Sequence, residues 1–270
     1  MSKQPISAIS PAQEKYVKQL KHQKHFILFM RWFSFLAFLA LWELAAYQEW
    51  INSFIFCSPS SIWQCFVDML LHQELLKHIS ITVSETLIGF LLVVVISVLF
   101  ATLLWWNETL AKIVEPYLVI LNSLPKSALA PVLIVWLGAT TETIIVCAMS
   151  VAIFGSILNM YTGFTTVDSD RIKLIQTLKG TKWDILRLVI IPSSLPNILS
   201  IMKVNIGLCL VGVVIGEFLA SKAGLGYLII YGSQTFKMSW VLMSITILCI
   251  LAMILYGILQ KIEKGLSRYF

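Results

Sequence analysis

The chain has 270 residues, of which 58% are hydrophobic and only 13% charged, with a mean hydropathy of +0.85 and a formal net charge of +6. A soluble domain is nearer half apolar and a quarter charged, so this composition excludes one and predicts an integral membrane protein. The apolar runs are long and continuous rather than alternating, which excludes an outer-membrane barrel, and the cations gather between the runs, which argues against nucleic acid as a partner.

Residues 1–25 are polar and basic, with Lys15, Lys18, Lys21 and Lys24 leading into the first apolar run at 26–47. That run is too long for a cleaved signal core and lacks a cleavage site, so it is read as a retained span. SPSS at 58–61 then opens a short amphipathic helix over 62–71, expected at the interface or over the bundle. Further spans are expected at about 83–106, ended by Trp105 and Trp106, and at about 114–137, interrupted by Pro116, Pro125 and Pro131. The remaining three fall at about 143–164, 198–220 and 240–260. Each approaches the ~20 residues that cross a bilayer. The expected fold is all-α: a polytopic bundle of six transmembrane helices, with a basic segment at 1–25 and a membrane domain at 26–270, its core at 80–260.

The distribution of cations orients the bundle. With the N-terminus inside, fifteen of the 20 Lys and Arg are cytoplasmic, whereas only Lys77, Lys222 and Lys237 are external. The positive-inside rule therefore predicts cytoplasmic N- and C-termini in a cell membrane. The five cysteines follow no metal-ligand spacing, and no metal site is expected; Cys147, Cys209 and Cys249 suit apolar packing, while Cys57 and Cys65 share an external loop in which they can pair. All four histidines fall outside the membrane core.

The longest polar interruption is VDSDRIKLIQTLKGTKWDILRLVIIPSSLP at 167–196. Apolar residues recur there at helical spacing, at Ile172, Ile175 and Leu178 and again at Ile185, Leu186 and Val189, so one or two amphipathic helices are expected. Asp168 or Ser169 suits an N-cap, Asp170 suits a first turn, and Pro192 and Pro196 mark a break before the next run. A structured helix on a cytoplasmic loop is expected to dock on a partner, through Ile172, Lys173, Ile175, Leu178, Lys179 and Gly180. The alternative is that its apolar strip packs on the chain's own helices.

Charges inside a membrane are costly and need a partner or a wet cavity. Lys126 follows Pro125 and either lines a pathway or snorkels and pairs, for example with Glu115 or Glu217. Glu217 is either a gate near the path or a structural bond to a neighbouring helix or the following Gly-Leu-Gly loop. Asn122, Ser123, Pro125, Lys126 and Ser127 make the third span the expected pore lining, together with Glu217. Gly207, Gly212 and Gly216 are expected to permit close helix packing.

Five pieces in order carry a resemblance: SPSSIW near 58–63, SETLIGF at 84–90, LPKSALAPVLIVWLGA at 124–139, IIPSSLPNI at 190–198 and GEFLASKAGLGYLI at 216–229. From about residue 58 to the end, the chain resembles permease subunits of ATP-binding-cassette (ABC) importers of the nitrate, sulfonate, taurine and thiamine-precursor type. The resemblance implies a type I importer permease fold and a cytosolic ATPase dimer that carries ATP and Mg²⁺. It also implies an extracytoplasmic solute-binding protein and a coupling loop at 165–195. In that family the loop carries a Glu-Ala-Ala…Gly signature; here Lys173, Leu174 and Ile175 stand where Glu-Ala-Ala belongs, and Lys179 where the glycine belongs, with Gly180 one place later.

A phosphate-binding GxxxxGK[ST] is absent, so ATP is hydrolysed elsewhere and this chain holds no cofactor. A six-span subunit is half a pathway, which predicts a second permease within the lipid bilayer, in a homodimer or a pair of related permeases, passing a small polar or anionic solute. An embedded enzyme lacks support, since HExxH, GxSxG and paired catalytic carboxylates are missing. An ion-coupled secondary transporter remains the alternative, although no internal repeat is visible.

Overall fold

The computed structural model describes residues 11–72 and 74–266; residues 1–10 of the basic segment, and Arg268 among the cations used for orientation, lie outside them. The chain divides into two compact units, Met1–Gln64 and Cys65–Phe270. In the first, α1 (Pro11–Tyr47) contains a candidate span, His25–Tyr47, none of whose most apolar window is buried within the protein. Its Phe29, Trp32 and Phe38 are all exposed, as a lipid-facing helix requires. After α2 (Ser53–Phe56), α3 (Pro59–His72) begins with its caps in place. Ser58 Oγ accepts from the Ser61 amide at 3.2 Å, and the Glu43 carboxylate accepts from the Ser60 amide at 3.1 Å and hydroxyl at 2.8 Å. The orphan N–H groups of a first turn demand such acceptors, so SPSS starts a helix as its sequence implies.

The second unit opens with the long helix α4 (Leu75–Trp106), followed by α5 (Glu108–Ser123), α6 (Lys126–Leu137) and a second long helix, α7 (Thr141–Thr165). The polar segment follows as α8 (Ser169–Thr177) and α9 (Lys182–Ile185), and leads through a π-helical turn, Leu186–Ile190, into α10 (Ile191–Ala220). A short α11 (Leu225–Gln234) and the last long helix, α12 (Met238–Leu266), complete the bundle. Among the described residues five helices are long and apolar enough to span a membrane, or six if α5 and α6 count as one crossing.

Helix α7 lies at the centre, packed between α4 and α10. Phe90 and Val93 of α4, Ile144, Ala148 and Ala152 of α7, and Ile206, Cys209 and Val213 of α10 form one buried cluster. A second, nearer the α8–α9 end, joins Met160, Phe164, Ile185, Leu186, Ile190 and Ile198. Small residues set the spacing. A side chain at Gly212 would sit 2.6 Å from the Ala148 Cα, and one at Gly89 3.1 Å from the Ala148 Cβ, so three small residues stack through α4, α7 and α10. Close backbone approach of this kind is how membrane helices gain van der Waals contact without a hydrophobic driving force. Gly216 is likewise tight against Ile144, as expected, but Gly207 faces open space and packs nothing.

Two expectations about prolines change. The third run is not a continuous span: α5 and α6 meet at 96°. The break is at Leu124 (ψ 141°) and Pro125 (ψ 103°), whereas Pro116 and Pro131 lie inside helices. Proline disfavours helical dihedrals at the preceding residue, and Leu124 is extended. Conversely, Pro192 and Pro196 do not break the chain before the fifth span, because helical structure runs from Lys182 to Ala220. The Ile191 amide donates to the Leu186 carbonyl five residues back, and this widened turn accommodates a proline that an α-helical ladder would reject. The cysteines form no disulfide; Cys65 Sγ lies 3.9 Å from Met243 Sδ.

Candidate functional site

Polar side chains sit at three levels of the second unit. The middle level is a cleft of about 260 Å³ between α5, α7 and α10, lined by Asn122, Ser156, Asn159, Ser200 and Asn205 with Val204 and Leu208 among its apolar walls. Asn205 Nδ2 donates to Ser156 Oγ at 2.7 Å, a buried bond that ties α10 to α7. Gly155 leaves room for the Asn122 carboxamide, which would lie 3.1 Å from a Cβ placed there. Asn122, Asn159 and Ser200 are exposed at the depth of apolar helices. Exposed carboxamides at that depth do not face hydrocarbon without cost, so this face is covered by water or protein.

Toward the α8–α9 end the same face continues as a second cleft of about 280 Å³, lined by Gly163, Thr166, Asp168, Arg171, Ser193 and Asn197 among others. Arg171 donates to Ser193 Oγ at 3.2 Å, Ser194 Oγ donates to the Gly163 carbonyl at 3.2 Å, and Asn197 occupies the space left by the missing side chain of Gly163. A polar stripe therefore runs along α7 and α10 from mid-span to the loop.

Lys126 is at the bend rather than in the cleft. Its Nζ donates to the Leu121 and Asn122 carbonyls at 2.9 and 2.6 Å and lies 5.8 Å from the Phe154 ring centroid. These are the carbonyls that the end of α5 leaves unpaired, so the ammonium caps a helix C-terminus. It pairs with neither Glu115 nor Glu217. Ser123 returns its hydroxyl to the Val119 carbonyl at 2.9 Å, while Ser127 is exposed at the start of α6.

Glu217 lies elsewhere, at the opposite end of α10, and is fully buried. Its carboxyl accepts from Thr82 Oγ1 at 2.6 Å and from the Gly226 amide at 2.5 Å. Thr82 Oγ1 in turn accepts from the Leu225 amide at 2.8 Å, and His78 Nδ1 from the Gly224 amide at 3.0 Å. Three side chains from α4 and α10 thus satisfy the first amides of α11, and side chains at Gly224 or Gly226 would collide with Glu217. Glu85 of α4 is also buried, and one of its carboxyl oxygens has no hydrogen-bond partner. Of the two roles open to Glu217 in the sequence, this geometry has the form of the bond to the Gly-Leu-Gly loop.

In the polar segment Asp168 caps α8 by accepting from the Asp170 amide at 2.9 Å, and Thr181 with Asp184 forms a reciprocal capping box on α9. Ile172 and Ile175 are half-buried against the Phe164–Ile185–Leu186 cluster. Leu174, at 60%, and Leu178, at 72%, are the exposed apolar residues of the helix. Lys173 pairs with Asp170 at 3.1 Å on the surface. Lys179 adopts a left-handed conformation (φ 58°), and Gly180 closes against Ile175 where a side chain would not fit.

The sequence reading passed over Ser156, Asn159, Asn197, Ser200 and Asn205. Their signal was available, since asparagine in the middle of an apolar run is costly without a role.

Comparison with known proteins fixes the family. The family described as "Binding-protein-dependent transport system inner membrane component" matches residues 93–265. Relatives include the formylaminopyrimidine transport permease protein ThiX of Halalkalibacterium halodurans, 27% identical over 230 residues, covering 85% of this chain and 91% of that one. They also include the putative aliphatic sulfonates transport permease protein SsuC of Bacillus subtilis, 24% identical over 231 residues (86% and 84%). A third is the riboflavin transport system permease protein RibX of Chloroflexus aurantiacus, 25% identical over 235 residues (86% of each). In structure the chain is similar to one from the inward-facing MetNI methionine ABC transporter, with a TM-score of 0.59 at 18% identity over 72% of this chain and 95% of that one. A chain from an amino acid ABC transporter crystallised with histidines gives a TM-score of 0.59 at 17% identity over 76% and 98%. At such identities these two likenesses speak for the fold alone, and the ion-coupled alternative finds no support among the relatives. The chain belongs to the binding-protein-dependent inner membrane components, and is a multi-pass permease subunit of an ABC importer, with ATP hydrolysis left to a separate subunit.

Proposed function

We propose that two copies of this chain enclose a path for a small polar solute, each contributing the stripe from Asn122, Asn159 and Ser200 down to Asn197. The observation that carries this reading is the exposure of carboxamides and hydroxyls at the depth of apolar spans. A homodimer with the stripes facing one another would give them water and protein in place of lipid. The solute would arrive from an extracytoplasmic binding protein. The substrates that the relatives are named for, a formylaminopyrimidine, riboflavin and aliphatic sulfonates, span neutral rings and anions, which agrees with a small polar or anionic solute.

In the same reading both termini and the 168–192 segment are cytoplasmic, and α8 seats in an ATPase that binds ATP and Mg²⁺. Ile172 and Ile175 fasten α8 to the bundle, while Leu174 and Leu178 offer the apolar contact and Lys173 and Lys179 its charged rim. Gly180 permits the turn beneath Ile175. Because Ile185 and Leu186 lead directly into α10, a push on α8 would travel along the helix that carries the stripe. Closure of the two ATPases would then tilt α10 and open the stripe outward.

Replacing Ser200 with Cys tests the path in proteoliposomes. A charged, membrane-impermeant methanethiosulfonate should label it, and should leave Cys at Ile250, an exposed apolar position on α12, unlabelled. Equal labelling at the two positions refutes the path. For the coupling, Leu178→Asp should abolish ATPase association while the bundle melts as the wild type does. Normal association would move the docking surface elsewhere.

A further inference from the structure

The chemistry of the middle cleft narrows the solute class, given the path reading above. None of its lining side chains is charged. Asn122, Asn159 and Ser200 present free edges, and a carboxamide offers donors and an acceptor side by side. The nearest cation, Lys126, is already committed to two backbone carbonyls and the face of Phe154. In the lower cleft Arg171 and Asp168 are the two charged lining residues, so that wall carries no net charge, and Arg171 also donates to Ser193 Oγ. An anion at the middle level would shed water and meet no counter-charge in a low-dielectric setting, and the lower cleft offers it no net positive charge. The apolar walls formed by Val204 and Leu208 suit the face of a ring, and a volume of about 260 Å³ is at the small end of ligand clefts.

We infer that the solute carried past Asn122, Asn159 and Ser200 is uncharged: a small, flat ring compound whose edge both donates and accepts hydrogen bonds, as an aminopyrimidine or a cyclic amide does. Sulfonates and inorganic anions are disfavoured by the same lining. A neutral edge of this kind exchanges water for carboxamide partners with little loss. It would move from Asn122 and Asn159 at the middle level toward Asn197 and Thr166 below, meeting the same chemistry at each step.

The test uses the full chain in lipid nanodiscs and two probes, 4-aminopyrimidine held neutral at mildly alkaline pH and methanesulfonate. Saturation-transfer NMR titrations read the affinity of each. The expected result is binding of 4-aminopyrimidine, with methanesulfonate weaker on the order of 100-fold. Asn159→Leu should weaken the pyrimidine about tenfold, the loss of one good hydrogen-bonding group, without altering thermal stability. Methanesulfonate binding as well as the pyrimidine, no binding of the pyrimidine, or a pyrimidine signal indifferent to Asn159→Leu each overturns the inference. Labelling of Ser200→Cys separates the two levels: if it labels while the probe result fails, the solute class is wrong and the path stands; if it does not label, the path itself falls.

Discussion

Substituting Ala for Gly212 places the packing of α7 against α10 under direct strain. The new Cβ would lie 2.6 Å from Ala148 Cα and 3.0 Å from both the Cys147 carbonyl and Val151 Cγ2, whereas ordinary contact begins near 3.4 Å. Two of the three obstacles are backbone atoms, which cannot rotate away. Helix α7 cannot retreat, because Ala148 is fully buried and already tight against Gly89 of α4. Overpacking a site that cannot relax costs ~1–3 kcal/mol, and the upper end applies here. The gain in helix propensity from Gly to Ala, up to about 1 kcal/mol, offsets part of that. The net loss is about 2 kcal/mol, close to a 30-fold fall in the folding constant. Gly207 supplies the control: it lies on the same helix with nothing within 4 Å of a built Cβ, so Gly207→Ala should be neutral or stabilising by up to about 1 kcal/mol. Reversible unfolding in mixed detergent–SDS micelles, followed by circular dichroism, reads both. Equal shifts of the same sign in the two variants would refute the packing argument.

The loop offers a test of opposite sign. Lys179 holds a left-handed conformation that L-residues resist, so Lys179→Gly should raise the local stability of the α8–α9 turn by about 1 kcal/mol, read as slower amide exchange at 178–181. Unchanged exchange would mean that the turn relieves its strain elsewhere. At the far end of α10, Glu217→Gln keeps the volume but leaves one acceptor oxygen where the carboxyl has two, so either the Thr82 hydroxyl or the Gly226 amide loses its acceptor. Leaving one buried donor unsatisfied costs ~1–3 kcal/mol, so the variant should melt lower and expose the first amides of α11 to exchange. Wild-type exchange at Gly226 would show that Thr82 and His78 suffice to hold the loop.

Much of the architecture was legible because hydropathy and capping are local. Five of the six runs appear as single long helices that contain the expected spans, SPSS and Asp168 cap the helices they precede, and the loop forms two helical pieces. Proline was less legible. Pro116, Pro125, Pro131, Pro192 and Pro196 carry the same local bias against helix, yet only Pro125 bends the chain sharply. What differs is the surroundings: at the bend, Lys126 collects two freed carbonyls, and before Pro192 a π-helical turn absorbs the misfit.

The polar stripe was hidden for another reason. Its members lie on three helices, between Asn122 on α5 and Asn205 on α10, and each alone reads as a tolerated polar residue. Lys126 and Glu217 drew the eye because charge in a span is rare, but both find close partners among neighbouring groups, which spacing along a chain does not reveal. Gly207, Gly212 and Gly216 make the same point: three similar glycines on one helix, of which two meet α7 and one meets nothing.

A permease half whose polar stripe is completed by a second copy and whose loop is driven by an ATPase has a defined stoichiometry. Native mass spectrometry of the tagged protein, extracted from its own membrane in mild detergent, should show an assembly with two copies of this chain and two of an ATPase, with a solute-binding protein joining on the other face. A monomer, or a homomer that never carries an ATPase, would contradict it.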